Sequence, residues 1–206
     1  MKTVAIVDYG LANIRSVVNA LSCFEVEVRV ADRGAELAGA DAIVLPGVGS
    51  FDAGMRGLRE RGHDEALTRL VREQGVPFLG ICLGLQFLFE SSEEGEAPGL
   101  GWFAGRLRRF PSGPGALKVP HVGWSDVEVA DAPLFRGLVP PHTFYFVHSY
   151  YLPREGEAAA AAAATCDYGL TFVAAVERDN IAATQFHPEK SQLAGLKLLE
   201  NFLGAA

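Results

Sequence analysis

Cysteine is scarce in this chain. Its 206 residues hold three, Cys23, Cys82 and Cys166, an odd number placed far apart. No Cys-x-x-Cys pair and no Cys/His spacing of the metal-ligand kind accompanies them, which argues against a disulfide framework and a structural zinc site. Long apolar runs are missing too. Nothing approaches the ~20 residues a membrane span requires. The opening Met1-Lys2-Thr3-Val4-Ala5-Ile6-Val7-Asp8 is no signal peptide, because Asp8 interrupts the apolar stretch almost at once. Basic residues are outnumbered, 18 Lys and Arg against 25 Asp and Glu, for a net charge of -7. That balance argues against nucleic acid and against a membrane surface as partners. Arg106, Arg108, Arg109 and Lys118 lie close in sequence, and the first three read as a solvated face. The expected compartment is a reducing cytoplasm.

What is present is an ordinary globular composition, 49% hydrophobic and 21% charged, enough for a substantial core in a single domain over residues 1–206. In the first half, strand and helix patterns alternate. Thr3–Asp8 is a continuous apolar run, and Asn13–Leu21 carries Ile14, Val17, Val18 and Leu21 at helical spacing. Val26–Val30 and Ala42–Leu45 read as strands, Asp52–Gln74 as a helix with a break near Gly62, Pro77–Ile81 as the next strand and Leu83–Glu90 as a helix. Further on, Gly101–Phe110, Trp124–Val129, Thr143–Tyr151, Leu170–Val176 and Ile181–Gln185 are strand-like pieces joined by Gly and Pro turns, and Ser191–Leu203 is an amphipathic helix. The expected fold is α/β: a mixed, mostly parallel central sheet with helices on both faces and added antiparallel strands. The run Ala158–Ala164 has helical propensity but sits between strands, so helix, strand and loop all stay open.

Two segments carry chemistry. Gly80-Ile81-Cys82-Leu83-Gly84 places a cysteine between glycines after a strand and before a helix, the thiol form of a nucleophile elbow. The helix N-terminus would favour the thiolate. Taken alone, the motif fits a buried structural cysteine equally well. His187-Pro188-Glu189 supplies an imidazole and a carboxylate two residues apart. In an extended segment both point to one face, so Glu189 can orient His187 toward the thiol. Pro46-Gly47-Val48-Gly49 leaves a parallel strand at the same sheet edge and could present N–H groups to an oxyanion, with the Leu83 N–H as the second donor, or be a plain Gly-rich turn. Gln86, one helical turn beyond Cys82, could bond a polar substrate; taken alone it reads as a surface residue. Cys23 is expected to pack at the end of the first helix. His63 reads as a solvated helix residue, and His121, His142 and His148 as structural.

The elbow Gly80–Gln86 and His187-Pro188-Glu189 resemble the class I (triad) glutamine amidotransferases. Further segments extend the resemblance over nearly the whole chain: Ile6–Gly10 with Asn13 and Ser16, Pro46–Phe51, Lys118–Trp124, Tyr145–Tyr151 and Gln185–Lys190. They point to the branch that serves a barrel-shaped synthase (cyclase) subunit in a histidine-biosynthesis heterodimer. The resemblance implies that Cys82 attacks the side-chain amide of L-glutamine, His187 protonates the departing ammonia and Glu189 holds His187. Gln86, Ser149 and Tyr150 would hold glutamine, and Gly49 and Leu83 would serve the oxyanion. Ammonia would pass to the synthase subunit, which Trp124, Tyr145 and Lys190 would face. No cofactor and no metal is implied. The turn Gly47–Gly49 is expected to complete an oxyanion hole only when that partner is bound and liganded. Ala12 stands where relatives often carry glycine, and Ser125 where asparagine is usual; neither touches the triad.

Overall fold

Alternation along β1 (Lys2–Val7) shows how the molecule is layered. In the computed structural model, which describes residues 1–113 and 117–205, Ala5 and Val7 enter one apolar cluster while Val4 and Ile6 enter another. A strand buried on both faces needs helices on both faces. On one side stands α1 (Ile14–Leu21), capped by the Asn13 side chain on the Ser16 N–H. The next strands are β2 (Val26–Ala31) and β3 (Ala42–Gly47). The other face is covered by α2 (Phe51–Glu60), α3 (His63–Leu67) and a π-helical turn over Thr68–Glu73. The single expected helix Asp52–Gln74 is therefore three pieces, and the first break is Gly62, held at φ +68°.

β4 (Phe78–Cys82) leads directly into α4, Leu83–Gln86. The expected helix to Glu90 stops early because Phe87, Leu88 and Phe89 are all fully buried. Consecutive buried side chains cannot share one helical stripe, and the Leu88 and Phe89 N–H groups turn to the Leu85 and Gln86 carbonyls. Short strands β5 (Ser91–Ser92) and β6 (Arg106–Arg109) follow. β6 is much shorter than the expected Gly101–Phe110, since Gly101 and Gly105 adopt positive φ. Arg106, Arg108 and Arg109 on it are exposed, as a solvated face should be.

The remaining elements are β7 (His121–Val129), β8 (Thr143–His148), β9 (Tyr150–Pro153), α5 (Gly156–Ala160), β10 (Ala162–Asp167), β11 (Thr171–Arg178), β12 (Ile181–Thr184) and α6 (Gln192–Ala205). The alanine run is thus divided: its first half ends α5, and its second half opens β10, paired with β11 and β7. The sheet order is β2-β1-β3-β4-β12-β11-β10-β7-β8. It is parallel through β12 and antiparallel beyond. The expected strand Thr143–Tyr151 breaks at Ser149, because β9 leaves β8 to pair with β11 and β6. That break positions the site.

Candidate active site

β3 and β4 lie side by side with Gly47 opposite Cys82. Cys82 closes β4 at φ 56°, ψ -105°, a conformation an L-residue adopts only under constraint. The glycines make the turn possible. A Cβ on Gly84 would lie 1.9 Å from the Leu45 carbonyl oxygen, and one on Gly80 2.8 Å from that of Gly84. Both obstacles are backbone. Gly84→Ala is accordingly expected to destabilise the fold by about 3 kcal/mol or more, close to a 10 °C fall in Tm by calorimetry; an unchanged Tm would mean the elbow is not this tightly packed. With only four residues, α4 offers the thiolate little of the dipole expected from the sequence.

His187 follows β12, the parallel neighbour of β4. Its Nδ1–H donates to Glu189 Oε1 at 2.8 Å, and both side chains are 2% exposed. The pairing does not use an extended backbone as expected: Pro188–Lys190 is a 3-10 turn that swings Glu189 back to the ring. His187 Nε2 is buried with no hydrogen-bond partner among the described residues. Burial disfavours its charged form, yet the Cys82 charge and the hydrogen bond and charge of Glu189 outweigh burial and raise the imidazole to about 10. Cys82 lies close enough to the ring to act on it both as a charge and as a side-chain hydrogen-bond partner. The Tyr145 carbonyl accepts the His187 N–H at 2.9 Å. Ser191 Oγ donates to the His187 carbonyl and accepts from the Tyr145 N–H. The segment is thereby tied to β8.

Cys82 opens into a cavity of about 260 Å³ whose lining includes Gly49, Leu83, Gln86, Ser149 and Tyr150. The sequence-predicted oxyanion and substrate residues are all brought together here. A cavity of similar size, about 290 Å³, opens at the other end of the strands beside Phe78 and Ile181, and no nucleophile lines it. Gly49 adopts φ +94°. The Val48 N–H beside it donates to the Leu11 carbonyl at 3.0 Å and so is engaged away from the sulfur.

Sequence reasoning missed two site residues. Glu94 lines the cavity, and its Oε2 accepts the first N–H of α2, from Phe51, at 2.8 Å. Burial raises its pKa, the Phe51 bond opposes that, and the Asp52 charge adds to it. Gln185 is fully buried and bonds both Gln86 and the Cys82 sulfur. Glu94 carries no local pattern at all; Gln185 had a signal, its place two residues before the imidazole.

Other expectations are corrected or refined. His63 is fully buried, its Nε2 on the Asp8 carbonyl, because α3 starts there under β1 and not at the surface. Cys23 is exposed, with its sulfur turned back to the Asn19 carbonyl, since α1 ends before it. Cys166 is buried, and burial pushes its thiol up to about 12. His121 and His148 form a buried pair at 3.1 Å, lowered by burial to about 4 and about 3, which keeps both neutral. On the outer surface, Trp124 stands opposite Tyr145 in the β7/β8 register. Their rings meet edge to face at 5.9 Å, and Lys190 Nζ lies 5.8 Å from the Tyr145 centroid. Trp124 is 47% exposed. Among the described residues no helix is long and apolar enough to cross a membrane.

The doubly covered mixed sheet, the cysteine elbow and the His–Glu pair after the last parallel strand define a class, and the comparisons agree. The family model for glutamine amidotransferase class-I matches residues 5–206, and the chain belongs to this family. Within it, the chain is 48% identical to the imidazole glycerol phosphate synthase subunit HisH of Thermosynechococcus vestitus, over 97% of this chain and 95% of that one. It is 50% identical to the HisH subunit of Syntrophotalea carbinolica, over 97% and 98%. Among solved structures, a crystal structure of glutamine amidotransferase superposes with TM-score 0.73 at 23% identity, covering 98% and 97% of the two chains. The structure of PurLQS from Thermotoga maritima gives 0.68 at 19% identity, covering 98% of each chain. These two show the fold alone.

Proposed function

We propose that this chain, as a single domain over residues 1–206, is the glutaminase subunit of an imidazole glycerol phosphate synthase. It hydrolyses L-glutamine through a Cys82 thioester and passes ammonia to a barrel-shaped cyclase subunit. That partner forms imidazole glycerol phosphate and an aminoimidazole carboxamide ribotide in histidine biosynthesis, in the cytoplasm. The observation that carries the reading is a strained, pocket-facing cysteine beside a buried imidazole hydrogen-bonded by a buried carboxylate.

The chemistry follows from that arrangement. The Cys82 sulfur attacks the amide carbon, and the Leu83 and Gly49 N–H groups receive the oxyanion. His187 gives the Nε2 proton to nitrogen, the C–N bond breaks and ammonia leaves. The neutral ring then takes a proton from water as water attacks the thioester, and glutamate departs. Glu94, a carboxylate on the cavity wall, suits the α-ammonium of glutamine; that charge arriving would lower its pKa again. Ser149 and Tyr150, on the break between β8 and β9, hold the other polar end.

Free ammonia is mostly protonated in water and poor as a nucleophile, so a closed passage preserves it. The turn Gly47–Gly49 is pinned by its Val48 N–H on the Leu11 carbonyl, and we infer that it aims the Gly49 N–H at the oxyanion only with the liganded partner. Glutamate release by this chain alone should be slow. Adding the cyclase partner with its nucleotide should raise it by roughly 10²–10³, the effect of one oxyanion donor. Equal rates with and without the partner would overturn the coupling. Trp124, Tyr145 and Lys190 form the proposed contact face, continuous with the triad through the Tyr145–His187 backbone bond. Trp124→Ala should weaken binding of the cyclase partner by about 30-fold in titration calorimetry, the effect of an aromatic anchor. An unchanged Kd would move the interface elsewhere.

A further inference from the structure

The Cys82 sulfur has a neighbour that the triad does not account for. Gln185 Nε2 lies 3.7 Å from Sγ, and Gln185 Oε1 lies 3.0 Å from Gln86 Nε2. Gln185 itself is fully buried, and its two carboxamide atoms are both engaged, one on Gln86 and one on the sulfur.

Which end of each carboxamide faces which neighbour follows from counting donors and acceptors. The Tyr150 carbonyl oxygen can only accept. It receives His148 Nδ1 at 2.8 Å and Gln86 Nε2 at 3.4 Å. Gln86 must therefore turn its NH2 toward β9, and the second hydrogen of that NH2 meets Gln185 Oε1. With its oxygen occupied, Gln185 presents its own NH2 to the sulfur. The order runs from the Tyr150 carbonyl through Gln86 to Gln185 and ends on Cys82. A single backbone carbonyl, at the point where β9 leaves β8, thereby orients both amides. It also leaves Oε1 as the only polar atom of Gln86 free to meet glutamine.

We propose that Gln185 is a catalytic residue of the thiol step, donating its carboxamide N–H to the Cys82 sulfur in the anionic form, with Gln86 and the Tyr150 carbonyl as positioning groups. The inference rests on the reading of Cys82 as nucleophile. Its value lies in constancy. In acylation the S–C bond forms, the C–N bond breaks and His187 loses its proton to ammonia, so the imidazolium charge disappears. In deacylation water adds, the S–C bond breaks and the sulfur leaves as an anion while His187 is being reprotonated. An amide does not titrate in this range. Gln185 stands ready to receive the leaving sulfur whatever the state of His187, and the bond relaxes when the sulfur is held as a thioester.

The test uses the complex with the cyclase partner and follows iodoacetamide alkylation of Cys82 by mass spectrometry, which separates it from exposed Cys23. Gln185→Met keeps the volume and removes the donor. Alkylation at neutral pH should slow by about tenfold, the size of a hydrogen bond to a charged group, and its pH profile should move upward. The kcat for glutamate release should fall to a similar degree with KM unchanged, since the Gln185 amide acts on the sulfur and the orientation of Gln86 is kept by the Tyr150 carbonyl. Gln86→Leu should slow alkylation in the same direction, and the double variant should be no slower than Gln185→Met alone. If Gln185→Met fails to fold, Gln185→Asn, which withdraws the amide by one methylene, should show the same profile. A folded Gln185 variant with parent alkylation rates overturns the proposal. A parent complex that alkylates at Cys82 but releases no glutamate overturns the nucleophile reading instead.

Discussion

Cys82→Ala is expected to remove glutamine-dependent glutamate release by at least about 10⁴-fold, in line with losing the nucleophile of a covalent mechanism. Synthesis by the cyclase partner from added ammonium should continue at the parent rate. The two results together are diagnostic because they separate making ammonia from using it. Alanine keeps the Cβ and so faces the same backbone constraint at φ 56°; only the sulfur is lost, with its contacts to the Gln185 amide and the Val147 carbonyl. The fold and the partner surface at Trp124 and Tyr145 should survive. Loss of both activities would mean that Cys82 holds the structure together and does not perform the chemistry.

The second large effect concerns the proton on His187. Its folded pKa is raised to about 10 from the ordinary 6.5, so the imidazolium persists through neutral pH and is lost as pH climbs through about 10. The profile of kcat/KM for glutamine, measured in the partner-bound complex, should therefore hold a plateau on the alkaline side and descend only near that value. Glu189→Gln removes the carboxylate and with it one source of the raised pKa. The descending limb should move toward neutrality, and kcat should drop by roughly 10³–10⁴, as when the orienting carboxylate of a hydrolytic triad is neutralised. The same sign governs stability. The charged His187, favoured first by Cys82 and then by Glu189, contributes fully below about 6.5 and fades as pH rises through about 10. A parent profile that already falls near 6.5, or a Glu189→Gln enzyme with an unmoved limb, would refute this account of the pair.

The elements best read from sequence are those whose signal is local. β1, β3 and β4 are continuous apolar runs because both faces are covered, and the elbow announces itself by glycines that a backbone carbonyl makes obligatory. His187 and Glu189 were legible as a pair, although their geometry was not: a 3-10 turn, not an extended strand, closes the hydrogen bond. What stayed hidden depends on partners distant in sequence. The alanine run has no side-chain pattern to set its period, and pairing with β11 and β7 decides where helix gives way to strand. His63 looks like a surface residue until α3 is seen beneath the Asp8 carbonyl. Glu94 reaches the cavity only because its loop caps α2, with Asp52 in return accepting the Glu96 and Ala97 N–H groups. Gln185 belongs to the site because β12 runs parallel to β4 and aligns their ends. None of these contacts leaves a trace within a few residues of the side chain concerned.

Cys82 also sets a conflict between endurance and use. A glycine at that position would relieve a left-handed backbone that costs on the order of 1–3 kcal/mol for any other residue, yet it would leave nothing to attack with. Selection for thermal robustness alone would favour the inert version of this chain. Keeping the cysteine means that every generation of the protein operates below the stability its own scaffold could reach. The surrounding packing at Gly80, Gly84 and Leu45 has little freedom to drift, because it is what holds the strained residue in place.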